Sequence, residues 1–150
     1  MKMSKIFNVF SLATMSTVLL ATNIVMLGFV DRASAAECTL RNVERNDSNG
    51  GVYNKSWTMA SFCPHAPNAA IYGSTNTSVR VGIMRTTQSK PQSWFVCYAR
   101  GELHKGGNNI WYYTRANMMV DYPKFGGWGF MPANNVYTMN DPEDSKLPYC

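Results

Sequence analysis

Four cysteines, two histidines and a small group of acids are the residues in this chain best able to do chemistry. Cys38, Cys63, Cys97 and Cys150 are even in number, and no two have C-x-x-C spacing. Cys63-Pro64-His65 brings two metal-ligand types close together. His65 and His104 are the only histidines, however, too few to suggest a zinc site. Catalysis by proton transfer or nucleophilic attack needs a nucleophile, a base and a partner that orients it. His65 and His104 lie in different segments with no matched acid beside either. His104 follows Glu102 in a Gly-rich turn, where solvent exposure is expected. Asp141, Glu143 and Asp144 cluster near the C-terminus without a spacing that suggests a carboxylate pair in a cleft. There is no phosphate-binding loop, dinucleotide fingerprint or zinc-protease motif. The expectation is a protein that is not an enzyme, with no catalytic residue, no metal and no cofactor. The cysteines then read as two structural disulfides with three possible pairings.

Disulfides require an oxidising compartment, and the start of the chain points to one. Lys2 and Lys5 precede an uncharged run of 25 residues, Ile6 to Val30, and Ala33-Ser34-Ala35 forms a small-x-small site. This reads as a secretory signal peptide over residues 1–35. An uncleaved membrane anchor is the rival, since a run of that length can span a bilayer. Asn8, Ser11, Ser16, Thr17 and Asn23 dilute the run, and the A-x-A site favours cleavage. Glu37 stands where a lipoprotein signal needs a small residue, which argues against lipidation of Cys38. The expected product is secreted, extracellular or associated with the cell envelope, with no stable membrane insertion after cleavage. The leader holds Lys2, Lys5 and Arg32 of fourteen basic residues and Asp31 of nine acidic ones, so 115 residues with a net charge of +3 remain. That excess permits weak attraction to anionic polymers but does not argue for nucleic acid, and no nucleic-acid partner is expected.

The elements that must position these groups are short. Residues 36–67 hold a polar run, RNVERNDSNGG, and a Pro-containing CPHAPN, with VYNKSWTMASF between them. They suggest a loop-rich N-terminal arm with one short strand or hairpin, or alternatively a helical turn around Trp57–Phe62; periodicity fits both. From residue 68 the β signals are clearer. AAIY, VRVGIM, WFVCYAR, IWYYTR, GWGFM and VYT are β-prone pieces separated by turn residues. In WFVCYAR, alternation sets Trp94, Val96, Tyr98 and Arg100 on one face and Phe95, Cys97 and Ala99 on the other. ANMMVDYPKFGG reads as a loop, PANN as a tight turn and NDPEDSKLPYC as an extended tail. About five short strands without a long helix suggest an all-β fold, a small barrel.

The string Gly129, Phe130, Met131, Pro132, Ala133, Asn134 and Val136 resembles the closing stretch of an SH3 domain. Ala70, Ile71 and Tyr72 resemble its opening strand, and Trp111 its central Trp strand. In their order, these motifs are similar to small secreted SH3-like (SH3b-type) proteins of Gram-positive bacteria, over about residues 68–150. The resemblance implies a disulfide-stapled SH3-like barrel preceded by the arm. It also implies pairing of Cys97 with Cys150, which leaves Cys38 with Cys63 by default.

The resemblance carries a binding site as well. Tyr72, Trp111 and Pro132 match three positions of the groove in which signalling SH3 domains hold proline-rich ligands. Two other positions depart, with Ser74 and Asn135 in place of aromatics. Where signalling domains carry acids, this chain carries Arg80, Arg85 and Lys90. Proline-rich peptides are therefore not the expected ligand. Bacterial SH3-like domains recognise cell-wall peptides, so the expected function is a secreted, non-catalytic binding module for such peptides. The alternative is a module or inhibitor that binds an extracellular protein. Trp111 and Tyr113 as plain barrel core is the competing reading of the aromatics. The N-x-S/T triplets at Asn46, Asn54 and Asn76 matter only in a glycosylating pathway, and the bacterial resemblance makes them coincidental.

Overall fold

The computed structural model describes residues 38–88, 90–142 and 147–150. The leader expected over 1–35, and Glu143 and Asp144 of the acidic cluster, lie outside the described residues. What is described is all-β, with nine strands and two short 3-10 turns. The strands are β1 (Thr39–Asn46), β2 (Ser56–Pro64), β3 (Ala69–Tyr72), β4 (Arg80–Met84), β5 (Gln92–Phe95), β6 (Cys97–Arg100), β7 (Ile110–Arg115), β8 (Met118–Met119) and β9 (Trp128–Pro132). They form a three-stranded sheet, β1-β2-β5, and a six-stranded sheet, β6-β7-β9-β3-β4-β8. Neither sheet closes on itself among the described residues.

In the N-terminal segment the hairpin alternative holds, but the hairpin is neither short nor set in a loop-rich arm: β1 and β2 are the two longest strands and pair antiparallel, and β2 also pairs with β5. The helical turn considered at Trp57–Phe62 is part of β2. Further on, ANMMVDYPKFGG contains β8 and a 3-10 turn, Pro123–Phe125. VYT forms no strand; Val136 makes only an isolated bridge to His65.

The stretch WFVCYAR is two strands, not one. β5 ends at Phe95 in the three-stranded sheet, and β6 begins at Cys97 in the six-stranded sheet. Val96 is the corner between them, and its N–H donates to the Tyr113 carbonyl at 3.0 Å. The side chains change company there. Phe95 packs with Ile71, Val81, Tyr112 and Met131, whereas Val96, Cys97 and Ala99 pack with Trp57, Trp111, Tyr113, Trp128 and Phe130.

These two clusters explain the density of aromatics in β7. Ile110 and Tyr112 point into the first, Trp111 and Tyr113 into the second, and every residue from Ile110 to Thr114 is buried. A strand covered on both faces has no solvent side for polar residues, so IWYYT does not alternate in polarity. β9 is buried along its whole length for the same reason. A Cβ on Gly129 would stand 2.2 Å from the Tyr72 carbonyl oxygen, so only glycine lets β3 approach β9 this closely.

Two disulfides staple the described chain, Cys38–Cys63 and Cys97–Cys150. Cys97 and Cys150 are 53 residues apart, and closing a loop of that size contributes about 4 kcal/mol in the chain-entropy account. The tail that carries Cys150 also covers the free edge of β6. Tyr98 N–H donates to the Pro148 carbonyl at 3.1 Å, and Cys150 N–H donates to the Tyr98 carbonyl at 2.8 Å. An exposed strand edge invites pairing with other chains, and these bonds occupy part of it.

Candidate ligand groove

Alternation along β7 places Trp111 and Tyr113 on the same face. Their environments are opposite. Tyr113 lies at the end covered by the hairpin. Its ring stacks on Trp128 at 5.4 Å and meets Tyr53 edge-on at 5.0 Å. Its hydroxyl donates to Asp47 Oδ2 at 2.9 Å and accepts from the Val52 N–H at 2.9 Å. Burial pushes the phenol well above its ordinary value; the Val52 N–H works against that shift, and Asp47 adds to it.

Asp47 ties this end together. It is fully buried, yet its carboxylate also accepts the Tyr53 N–H at 3.1 Å and the Lys55 N–H. A buried carboxylate is tolerated when hydrogen bonds replace its water. The loop is shaped to allow this: a Cβ on Gly51 would lie 2.2 Å from the Asp47 Cβ. Nothing in the polar run RNDSNGG marks Asp47 as buried. The available signal is turn chemistry, an Asp followed by Ser, Asn and two glycines. On the same face, Trp57 Nε1 is buried without a hydrogen-bond partner among the described residues.

At the other end the face is open. Trp111 pairs with Pro132 across β7 and β9, and Tyr72 pairs with Phe130 across β3 and β9. The Tyr72 ring meets Trp111 edge-on at 6.0 Å. Thus the three residues matched by the resemblance line a single groove of about 370 Å³. Trp111 is itself fully buried and forms the floor; Pro132 is also buried, while Tyr72 is half-buried and forms a wall. Both readings of Trp111 from the sequence, core and groove, therefore describe parts of its environment.

The β6–β7 loop provides the opposite wall, which the sequence did not announce. Trp111 Nε1 donates to the Glu102 carbonyl at 3.0 Å, anchoring the loop over the indole. His104 meets the indole edge-on at 5.8 Å. Its Nδ1 accepts the Gly106 N–H at 3.1 Å and its Nε2 lies 3.0 Å from the Ile110 carbonyl oxygen, which holds the ring in place. The exposure expected for His104 is thus only partial. Beside it Leu103 is 70% exposed, an apolar side chain held at the rim. Asn135, one of the two departures from the aromatic pattern, lines the groove; Ser74, the other, instead bonds Asn76 in an exposed turn.

The remaining candidates for chemistry hold structure together. His65 is buried, with Nε2 2.8 Å from Ser93 Oγ and Nδ1 2.9 Å from the Ala66 carbonyl oxygen. Burial lowers its pKa from the ordinary value, partly offset by the Ala66 carbonyl. Asp141 accepts from the Tyr112 hydroxyl at 2.9 Å, the Thr138 hydroxyl at 2.8 Å and the Asn108 amide at 3.0 Å. Among the described residues, no three His, Cys, Asp or Glu side chains gather as a metal site. Comparisons with protein-family models, curated proteins and solved structures return no match to this chain.

Proposed function

We propose that this chain is a secreted, non-catalytic binding module of SH3-like type that takes cell-wall peptides in the groove of Tyr72, Trp111 and Pro132. The observation that carries the reading is the convergence of these residues. They come from three separate stretches of sequence, chosen by resemblance to an opening, a central and a closing motif. Those stretches are the adjacent strands β7, β9 and β3, and their side chains line one open groove. An aromatic floor with a few polar groups around it suits a small, partly apolar peptide. The two disulfides are compatible with an extracellular setting.

Binding to an extracellular protein is the second reading, favoured by Leu103. A solvent-exposed leucine beside an aromatic floor also fits the apolar contact of a protein partner. Retention on purified cell walls separates the two. The parent protein is expected to be retained, and the Tyr72→Ala/Leu103→Ser variant to bind at least about tenfold more weakly with an unchanged melting temperature. A folded variant retained as well as the parent would remove the groove from the function. Failure on walls combined with capture of a purified secreted protein through the same residues would favour the second reading.

A further inference from the structure

A second groove, of about 480 Å³, lies where the three-stranded sheet meets the end of the six-stranded one. Five cationic side chains line it: Arg41, Arg45, Arg85, Lys90 and Arg115. No acidic residue among the described ones does. The ion pair found among the described residues, Arg80 with Asp121 at 3.9 Å, is not part of it. Glu44 lies between Arg41 and Arg45 on β1, where the strand's register against β2 shifts, and is not in the lining.

Two of the guanidinium groups are held in place by aromatic rings. Arg41 lies over the Phe62 ring at 4.6 Å, and Arg45 over the Trp94 ring at 4.9 Å. Phe62 and Trp94 are themselves directly opposite each other across β2 and β5. The Arg115 Nε donates to the Gly126 carbonyl at 2.8 Å, which orients that side chain from the other sheet. Stacking restricts the rotamers of a guanidinium without using its N–H donors; Arg45 spends one of them, Nη1, on the Glu44 carbonyl at 2.8 Å. Less ordering is then needed when a ligand binds.

We infer that this groove binds a flexible polyanion through phosphate or sulfate groups. Like charges gathered around one concavity repel each other, and a polyanion relieves that repulsion. A single carboxylate would match one guanidinium fork and leave the other cations uncompensated. A chain of tetrahedral oxyanions presents acceptors in several directions and can engage arginines from both sheets. This site is separate from the groove of Tyr72, Trp111 and Pro132 and shares none of its lining residues.

The test is calorimetric titration of the protein with inorganic tripolyphosphate, with a sulfated oligosaccharide and with a neutral oligosaccharide of equal length. At least one anionic probe is expected to bind, with affinity falling steeply as salt rises; which one binds assigns the oxyanion. Arg41→Gln/Arg45→Gln should weaken that binding by about tenfold or more. The control Arg80→Gln/Lys105→Gln removes the same charge elsewhere and should lose much less. Melting temperatures verify that the variants fold, and Arg85→Gln/Arg115→Gln provides a second test from the other sheet. Absence of binding to both anionic probes at low salt would overturn the proposal. Equal losses in the groove and control variants would also overturn it, because net charge alone would then account for binding.

Discussion

Trp111 and Tyr113 stand two residues apart on one face of one strand, yet one ends beneath an open groove and the other is sealed. The strand itself does not make the difference. Over Tyr113 lies the N-terminal hairpin, fixed by Asp47, Tyr53 and Trp57. Over Trp111 lies only a loop, held by the bond to the Glu102 carbonyl and by the His104 ring. A row of aromatics thus becomes core or binding surface according to what the rest of the chain puts on top of it. The hairpin covers most of the row, and the groove is the part it leaves open.

Truncation should be costly even at the open end, because the Trp111 side chain is fully buried. Trp111→Ala is expected to lose about 3–5 kcal/mol of stability in chemical denaturation. A loss under about 1 kcal/mol would mean that the indole is not packed as described, and the contrast between floor and wall would fail.

At the covered end, Asp47→Ala strands the Tyr53 and Lys55 amides and the Tyr113 hydroxyl. The expected loss is about 1–3 kcal/mol. Amide hydrogen exchange should accelerate first at Tyr53 and Lys55, while the loop at Glu102 to Gly106 stays protected as before. Equal acceleration at both ends would show that they are not independent.

The smallest effect concerns pH. His65 joins the end of β2 to Ser93 on β5, and burial holds its folded pKa below the unfolded value. The unfolded chain therefore binds the proton more readily. The contribution of neutral His65 is fully present above about pH 6.5 and is lost as pH falls toward the folded pKa. Denaturation midpoints should decline as pH falls below about 6.5, and His65→Asn should flatten part of that slope. An unchanged slope would assign the decline to other groups.

The parts legible in the sequence were those whose physics is local. β3, β4, β7 and β9 lie close to their expected places because Val, Ile, Tyr, Trp and Phe in short runs between turn residues suit a pleated, covered surface. The disulfide pairing followed the resemblance. A hairpin was among the readings of residues 36–67, but β1 could not be located within it because it is an edge strand with most of its side chains in solvent, so TLRNVERN carries little hydrophobic alternation. The corner at Val96 was invisible because a strand that changes sheets stays apolar throughout and shows no break in composition. Tyr72, Trp111 and Pro132 could be picked out by resemblance, but Leu103 and His104 could not. Their place in the groove depends on how the β6–β7 loop folds over the indole, and that is decided by contacts distant in sequence.

The four tryptophans make the central claim directly measurable, since Trp57, Trp94, Trp111 and Trp128 each contribute one indole N–H resonance. The experiment is a titration of the labelled protein with soluble cell-wall peptides, followed at these four signals. Binding in the open groove predicts that Trp111 shifts progressively, because its N–H bonds the loop that forms the groove wall, while Trp57 in the hairpin and Trp128 packed in the same buried cluster stay fixed. Movement of Trp57 or Trp128 with Trp111 unmoved, or no change in any of the four at saturating peptide, would contradict it.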